Sequence, residues 1–294
     1  MELLPEKRKI SKKRLEELTR IIGERDLEIL KDLEKCKYLT SNQIRRLHFN
    51  NSTTETASLR AASRSLSKLR NYGALGALRR RIGGIRAGSG SYIWSLRPAG
   101  YKLLHLKTLE NLPRKHFQEP SLQFLEHTLL ISETYVRVKE LHQTKKLDYA
   151  HAQVEPTCWR WYVDRAGIKH VLKPDLYAVT RGGGYEDTYF VEIDRATETP
   201  ARILDKCDRY YHYLHTGTEQ EGGGVFPYVL WIVPDERRKK SLENHIQEKY
   251  EGEPELFTII TPDELEALIL DGVDEYKAKS QKKSSMEGGI EHEE

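Results

Sequence analysis

Residues 174–195 read PDLYAVTRGGGYEDTYFVEIDR. Two β-prone runs, DLYAVT and TYFVEID, flank the turn-forming RGGGYED, so the stretch is expected to fold as a hairpin. Asp175 begins the first strand, while Glu192 and Asp194 end the second, which brings the acids to one end of a sheet. Period-two alternation puts Glu192 and Asp194 on one face and Val191 and Ile193 on the other. Carboxylates gathered on one face repel one another, and the simplest compensation is a divalent cation that also takes a phosphate oxygen. Two or three carboxylates so placed have the geometry of a metal site.

The surroundings extend this pair into a domain. SLQFLEHTLLISETYVRVKELHQ, from Ser121, repeats Leu122, Leu125, Leu129, Val136 and Leu141 at near-helical intervals. HAQVEP and CWRWYV precede the hairpin as strand candidates, PYVLWIV and LFTIITP follow it, and helical stretches surround 199–215 and 235–250. Strands followed by strand–helix alternation predict an α/β domain over 121–271. The tail 272–294, GVDEYKAKSQKKSSMEGGIEHEE, lacks apolar periodicity and is expected to be disordered. Pro113 and Pro120 bracket the expected linker to what precedes.

That preceding part is basic. Residues 1–120 carry 26 Lys and Arg against 12 Asp and Glu, whereas the remainder carries 22 against 33, an asymmetry hidden in the net charge of +3. A basic half beside an acidic half fits a polyanion partner for one domain and metal-holding carboxylates in the other. After a basic arm, 1–21, DLEILKDLEKCKYL predicts a helix that Asp26 caps, with Leu27, Leu30, Leu33 and Leu39 on its apolar side. Thr40 and Ser41 open a short second helix through Ile44 and Leu47. A third, TASLRAASRSLSKLRNYGAL, has Leu59, Ala62, Leu66 and Leu69 as its buried stripe and Ser58, Arg60, Ser63, Arg64, Ser67, Lys68 and Arg70 on the opposite face. Small polar residues interleaved with cations suit a helix in a DNA major groove. ALRRRI and SYIWSL then flank GGIRAGSG as a second hairpin.

Helix, helix, helix, hairpin over 22–112 resembles a winged helix-turn-helix domain. The resemblance implies double-stranded DNA as partner, with Arg60, Arg64, Lys68 and Arg70 on the third helix, Arg79, Arg80 and Arg81 before the wing and Arg86 inside it. A palindromic recognition site would imply a homodimer. With no apolar run approaching the roughly 18 residues that span a bilayer, and no secretory signal, no membrane partner and a cytoplasmic location are expected. The three cysteines, Cys36, Cys158 and Cys207, are too widely spaced for a zinc site or a disulfide framework.

The order helix, three strands, helix, strand from about 121 to 234 resembles the PD-(D/E)-x-K phosphodiesterases, a restriction-endonuclease-like α/β fold. By that resemblance Pro174 and Asp175 match PD and Glu192 matches the acidic position, which implies Asp175 and Glu192 as metal ligands for Mg²⁺ or Mn²⁺, while Asp194 stands where the lysine is usual, followed by Arg195. Some members carry the lysine on the following helix, where Lys206 is the natural candidate. Winged helix, PDLYAV, VEIDRATE and a Tyr-rich helix together resemble the plasmid replication-relaxation proteins of plasmids and conjugative elements. That resemblance implies nicking and relaxation of DNA at an origin.

Asp194, Arg195 and Glu198 have an alternative reading as a structural ion-pair network. Glu126, His127 and Glu133 could complete the metal surroundings from the first helix of the domain. Tyr211, among Tyr210, Tyr211 and Tyr213, is an alternative nucleophile for a tyrosine-dependent relaxase, although aromatics at helical spacing are more often core. A non-catalytic replication or transcription factor with a degenerate nuclease fold is the third reading.

Overall fold

The computed structural model describes residues 11–82, 91–106, 119–252 and 255–288. The chain is a mixed α/β protein that divides into two compact units, Met1–Val136 and Arg137–Glu294. No helix among the described residues is long and apolar enough to cross a membrane.

In the first unit, α1 (Lys12–Ile21) occupies the second half of the expected basic arm, and residues 1–10 of that arm lie outside the described ones. The helix forms because Leu15 and Leu18 share a face and are buried, and the Ser11 hydroxyl accepts from the Arg14 N–H. The next helix, α2 (Glu24–Cys36), begins after Gly23, so Asp26 is not its cap. Asp26 is buried within the first turn and binds the third helix instead. Thr40 caps α3 (Ser41–His48) through a reciprocal pairing with Gln43.

Helix α4 (Glu55–Asn71) buries the expected stripe at Ala62, Leu66 and Leu69 but has Ser58 in place of Leu59 at its first turn. Ser58, Ala62, Leu66 and Leu69 are buried, whereas Leu59 is 49% exposed. The Ser58 hydroxyl can go inward because it donates to the Phe49 carbonyl at 2.7 Å, which satisfies a polar group that burial would otherwise penalise. Strands β1 (Leu39–Thr40), β2 (Leu75–Ile82) and β3 (Ser91–Leu96) form an antiparallel sheet in the order β1–β3–β2. The tip between β2 and β3, with Arg86, lies outside the described residues, as does Pro113. A short helix, α5 (Pro98–Leu104), follows.

The long helix α6 (Leu122–Gln143) was expected to open the second domain, yet its first part belongs to the first unit. Leu125 and Leu129 pack with Leu78 and Ile93, and Tyr135 donates to the buried Asp32 carboxylate at 2.8 Å.

The second unit is built on a five-stranded mixed sheet, comprising β4 (Tyr149–Val154), β7 (Leu176–Gly182), β8 (Tyr185–Ile193), β9 (Tyr228–Ile232) and β10 (Phe257–Ile260). Its order is β10–β9–β8–β7–β4, antiparallel across β4, β7 and β8 and parallel across β8, β9 and β10. The parallel steps require crossovers. These contain α7 (Pro200–Thr216) with the short α8 (Thr218–Gly223), then α9 (Glu236–Lys249). CWRWYV does not join this sheet. It contributes β5 (Arg160–Val163), which among the described residues pairs only with β6 (Lys169–Leu172) as a separate hairpin between β4 and β7. Phe190, Tyr210, Tyr213, Trp231 and Leu242 fill the core beneath α7 and α9.

The tail is also corrected. After α10 (Leu265–Asp271), α11 (Val273–Gly288) is helical where disorder was expected. Val273 and Tyr276, three apart, are buried, and the Tyr276 hydroxyl donates to Glu264 at 2.6 Å. Two anchors sufficed where a continuous apolar stripe was absent.

The register of α4 gives a direct check. Leu66→Ala should cost about 2–5 kcal/mol, whereas Leu59→Ala should stay within about 0.5 kcal/mol of the unmodified chain. Urea unfolding of both variants measures the difference, and equal losses would contradict the exposed placement of Leu59.

Candidate functional site

The β7–β8 pairing sets Leu176 opposite Val191, so Asp175, one step earlier, stands beside Glu192. Backbone bonds hold this alignment: the Asp175 N–H donates to the Val191 carbonyl at 3.1 Å, and the Asp175 carbonyl accepts from the Glu155 N–H at 3.1 Å. The Asp175 side chain then accepts from the Ile193 N–H through Oδ2 at 2.8 Å. Glu192 is 3% exposed and Asp175 8%. Two buried acids are thus fixed at neighbouring positions by the sheet itself.

Helix α7 crosses above them. Its sequence starts PARILDK, with Pro200 at the first helical turn, where a missing N–H goes unused. Lys206 and Tyr210 are four apart and therefore share a face. Both point to Glu192: the Tyr210 hydroxyl donates to Oε1 at 2.7 Å, and Lys206 Nζ lies 3.4 Å from Oε2. Lys206 also reaches Glu198 at 3.2 Å and stands 5.5 Å from the centre of the Trp231 ring. Trp231 is the residue aligned with Glu192 on β9.

Burial and the charge of Asp175 push the Glu192 carboxyl up to about 7, against the opposing pull of Lys206 and the Tyr210 hydrogen bond. For Lys206, burial pulls downward, but the carboxylates of Glu192, Glu198 and Asp175 outweigh it and hold the ammonium above its ordinary value. Burial and the adjoining Glu192 raise the Tyr210 phenol well above its usual range. The set contains one carboxyl that titrates near neutrality and two donors that keep their protons.

Asp194 shares the face of Glu192 but stands just past the strand, and it is taken up by structure. Its Oδ2 lies 2.5 Å from Arg238 Nε of α9, and its Oδ1 accepts from the Ala196 N–H at 2.9 Å. Arg238 also donates to the Glu198 carbonyl at 2.8 Å. This knot closes the turn into α7, where Ala196 has a left-handed φ of 56°. Asp194 is therefore a turn-locking ion-pair partner, not a member of the carboxylate pair.

Tyr211 points elsewhere. Its ring packs in the core against Tyr250, with centroids 4.6 Å apart, and Phe257 at 5.4 Å. The tyrosine at the carboxylates is Tyr210. The sequence signal for it was the spacing of four from Lys206. Glu133, offered for the metal surroundings, is instead bound by Arg46 at 2.6 Å and Gln43 at 3.1 Å within the first unit. Glu126 and His127 lie on that same first part of α6.

Among the candidate DNA-contacting cations, Arg60 and Arg64 are exposed on α4 and Arg70 is partly exposed. Lys68 turns inward and pairs with Asp26 of α2, which also accepts from Ser65 at 2.6 Å. That cation is part of a helix–helix tie. Arg79, Arg80 and Arg81 lie along β2.

A family model described as replication-relaxation matches residues 30–229, a span that includes Asp175, Glu192, Lys206 and Tyr210. No curated protein and no solved structure matches the chain significantly.

The Glu192 environment predicts a pH dependence. A carboxyl whose folded pKa of about 7 lies above its ordinary value of 4.5 holds its proton more tightly when folded. Stability is then lost as pH rises through that interval, because the folded state must give up a proton it favours. Without divalent metal, Glu192→Gln should gain stability relative to the unmodified chain between pH 5 and pH 8. Denaturant unfolding at the two pH values measures this, and a relative loss at pH 8 would contradict it.

Proposed function

The chain belongs to the replication-relaxation family, which ties it to plasmid or mobile-element replication or relaxation, and on that premise we propose that it nicks double-stranded DNA at an origin by metal-dependent phosphodiester cleavage. The observation that carries the reading is the meeting of Lys206, from the helix after the hairpin, with Glu192 at 3.4 Å. It fits a PD-(D/E)-x-K-type arrangement with the lysine moved from the strand to the helix. The order α6, β4, β7, β8, α7, β9, with the β5–β6 hairpin as an insertion, fits the restriction-endonuclease-like fold.

The donor set suits a hard cation. Two carboxylates offer oxygen ligands, and the unfavourable proximity that raises Glu192 is what a divalent charge relieves. Asp175 and Glu192 would hold Mg²⁺ or Mn²⁺. The bound ion would supply Lewis-acid stabilisation of the phosphate and acidify a water. Lys206, kept protonated by its acidic neighbours, acts as a fixed positive charge toward the phosphate oxygens instead of as a base. Tyr210, a donor with its proton retained, orients Glu192.

The first unit supplies the DNA contact in this reading. α2, α3, α4 and the β2–β3 hairpin form a winged helix, with Arg60 and Arg64 of α4 toward the major groove and Arg79, Arg80 and Arg81 on the β2 strand of the wing. Phosphate contacts of this kind make binding strongly salt-dependent. The occupation of Asp194 by Arg238 favours one second reading, a non-catalytic DNA-binding factor, because no cation stands at the usual lysine position.

A supercoiled plasmid carrying the cognate origin separates the two. With Mg²⁺ or Mn²⁺ the protein should convert it to the nicked circle. EDTA, Asp175→Ala, Glu192→Ala or Lys206→Ala should each lower the rate by about 100-fold or more while DNA binding persists. Arg60→Ala with Arg64→Ala should weaken binding and reduce the salt slope by about one per lost phosphate contact. Binding without cleavage under any metal would replace the nicking reading with the factor. A protein–DNA adduct surviving denaturation would transfer the chemistry to a tyrosine.

A further inference from the structure

A second cluster lies farther along α7, on the inserted hairpin. Asp164 follows β5 directly, His170 lies on β6, and His212 comes from α7, six residues and so roughly 9 Å beyond Lys206. One ligand atom from each of the three falls within 4.8 Å of the others. His170 Nε2 is 2.7 Å from Asp164 Oδ2, and the two imidazole centroids are 4.8 Å apart in an edge-on arrangement. We propose that Asp164, His170 and His212 form a binding site for a divalent transition metal of the zinc class, separate from the Asp175–Glu192 pair.

The donors have the chemistry of such a site. Two imidazoles and one carboxylate suit zinc and its neighbours, whereas the all-carboxylate pair suits magnesium. The supporting shell is also built. Asp164 Oδ1 accepts from the Ala166 and Ile168 N–H groups, each at 2.9 Å, which locks the carboxylate and leaves Oδ2 directed at His170. The Tyr162 hydroxyl lies 2.9 Å from His212 Nδ1, and with that nitrogen as donor the Nε2 lone pair is left for a cation. The Tyr162 ring stacks on His170, with centroids 5.2 Å apart, and restrains it.

Tetrahedral ligation with bonds of about 2.0–2.1 Å draws ligand atoms to about 3.3 Å from one another. His212 is the exposed member of the three, and a pivot of its ring about the Tyr162 hydrogen bond is what that requirement asks of it. Three protein ligands leave a fourth position toward solvent for water or an anionic oxygen. Among the described residues β5–β6 pairs with no other strand and is held by the packing of Tyr162 and Leu172 in the core, so the metal adds a second fastening to the helix that carries Lys206 and Tyr210.

The test uses the full chain, freed of metal, titrated with Zn²⁺ by calorimetry and with Co²⁺ by its visible absorption. One ion per chain is expected, with tetrahedral-type Co²⁺ bands. Affinity should fall at least about 100-fold in His170→Ala and in His212→Ala, and about 10-fold in Tyr162→Phe, an outer-shell change. Zn²⁺ should raise the thermal midpoint of the unmodified chain but not of the His variants. Circular dichroism establishes that the variants are folded, and Asp164→Asn provides a ligand change that keeps the side-chain volume. Asp175→Ala with Glu192→Ala should bind Zn²⁺ as the unmodified chain does, so the site stands or falls independently of DNA cleavage. Absence of stoichiometric binding, or binding undiminished by the two His variants, would overturn it.

Discussion

Two carboxylates held side by side out of water, Asp175 and Glu192, set the terms for the rest of the second unit. Their proximity is unfavourable, and it persists because every alternative position is closed by the β7–β8 register and by the Ile193 N–H on Asp175. A buried charge needs partners, and removing one partner leaves the other exposed to the full desolvation penalty. Helix α7 supplies them in one turn, with Lys206 and Tyr210 both on Glu192. The turn into α7 is in turn locked by Asp194 and Arg238, which draws α9 into the same arrangement. Local strain at Ala196 is accepted where that lock needs it.

The first unit handles charge differently. Its buried acids, Asp26 and Asp32, have specific partners: Ser65 and Lys68 for one, and for the other the Tyr135 hydroxyl, with His48 Nε2 at 3.0 Å. These ties join α2 to α4, α3 and α6, so part of the cationic excess is consumed inside the fold. Arg60 and Arg64 are the cations of α4 left at the exposed face. In the proposed reading this division lets one helix serve as both packing element and DNA-contacting surface.

Much of the architecture was legible from periodicity. Strands with alternating or continuous apolar residues, DLYAVT, TYFVEID and PYVLWIV, appear in the central sheet, and the PD and VEID steps come together as hairpin geometry requires. The failures share a physical origin in long-range contacts. Asp26 resembled a cap until Lys68 and Ser65 met it, and Ser58 resembled a surface residue until the Phe49 carbonyl accepted its hydroxyl. Strand β5 has the composition of a sheet member, yet only pairing could reveal that it belongs to a separate hairpin. Tyr211 and Tyr210 are neighbours in sequence but 100° apart around a helix. One enters the aromatic core and the other meets Glu192. The α11 tail was missed because Val273 and Tyr276 are too few to register as a period.

The most direct test of the proposed cation at Asp175 and Glu192 is Mg²⁺ binding calorimetry at pH 6.5 in two buffers of different ionisation enthalpy. Mg²⁺ is the suitable ion because imidazole sites bind it poorly. With Glu192 titrating at about 7, much of the population carries a proton there at that pH, and the ion must displace it. The account predicts one Mg²⁺ per chain with net proton release, and loss of both in Asp175→Asn. Absence of Mg²⁺ binding, or binding with no proton release that survives Asp175→Asn, would contradict it.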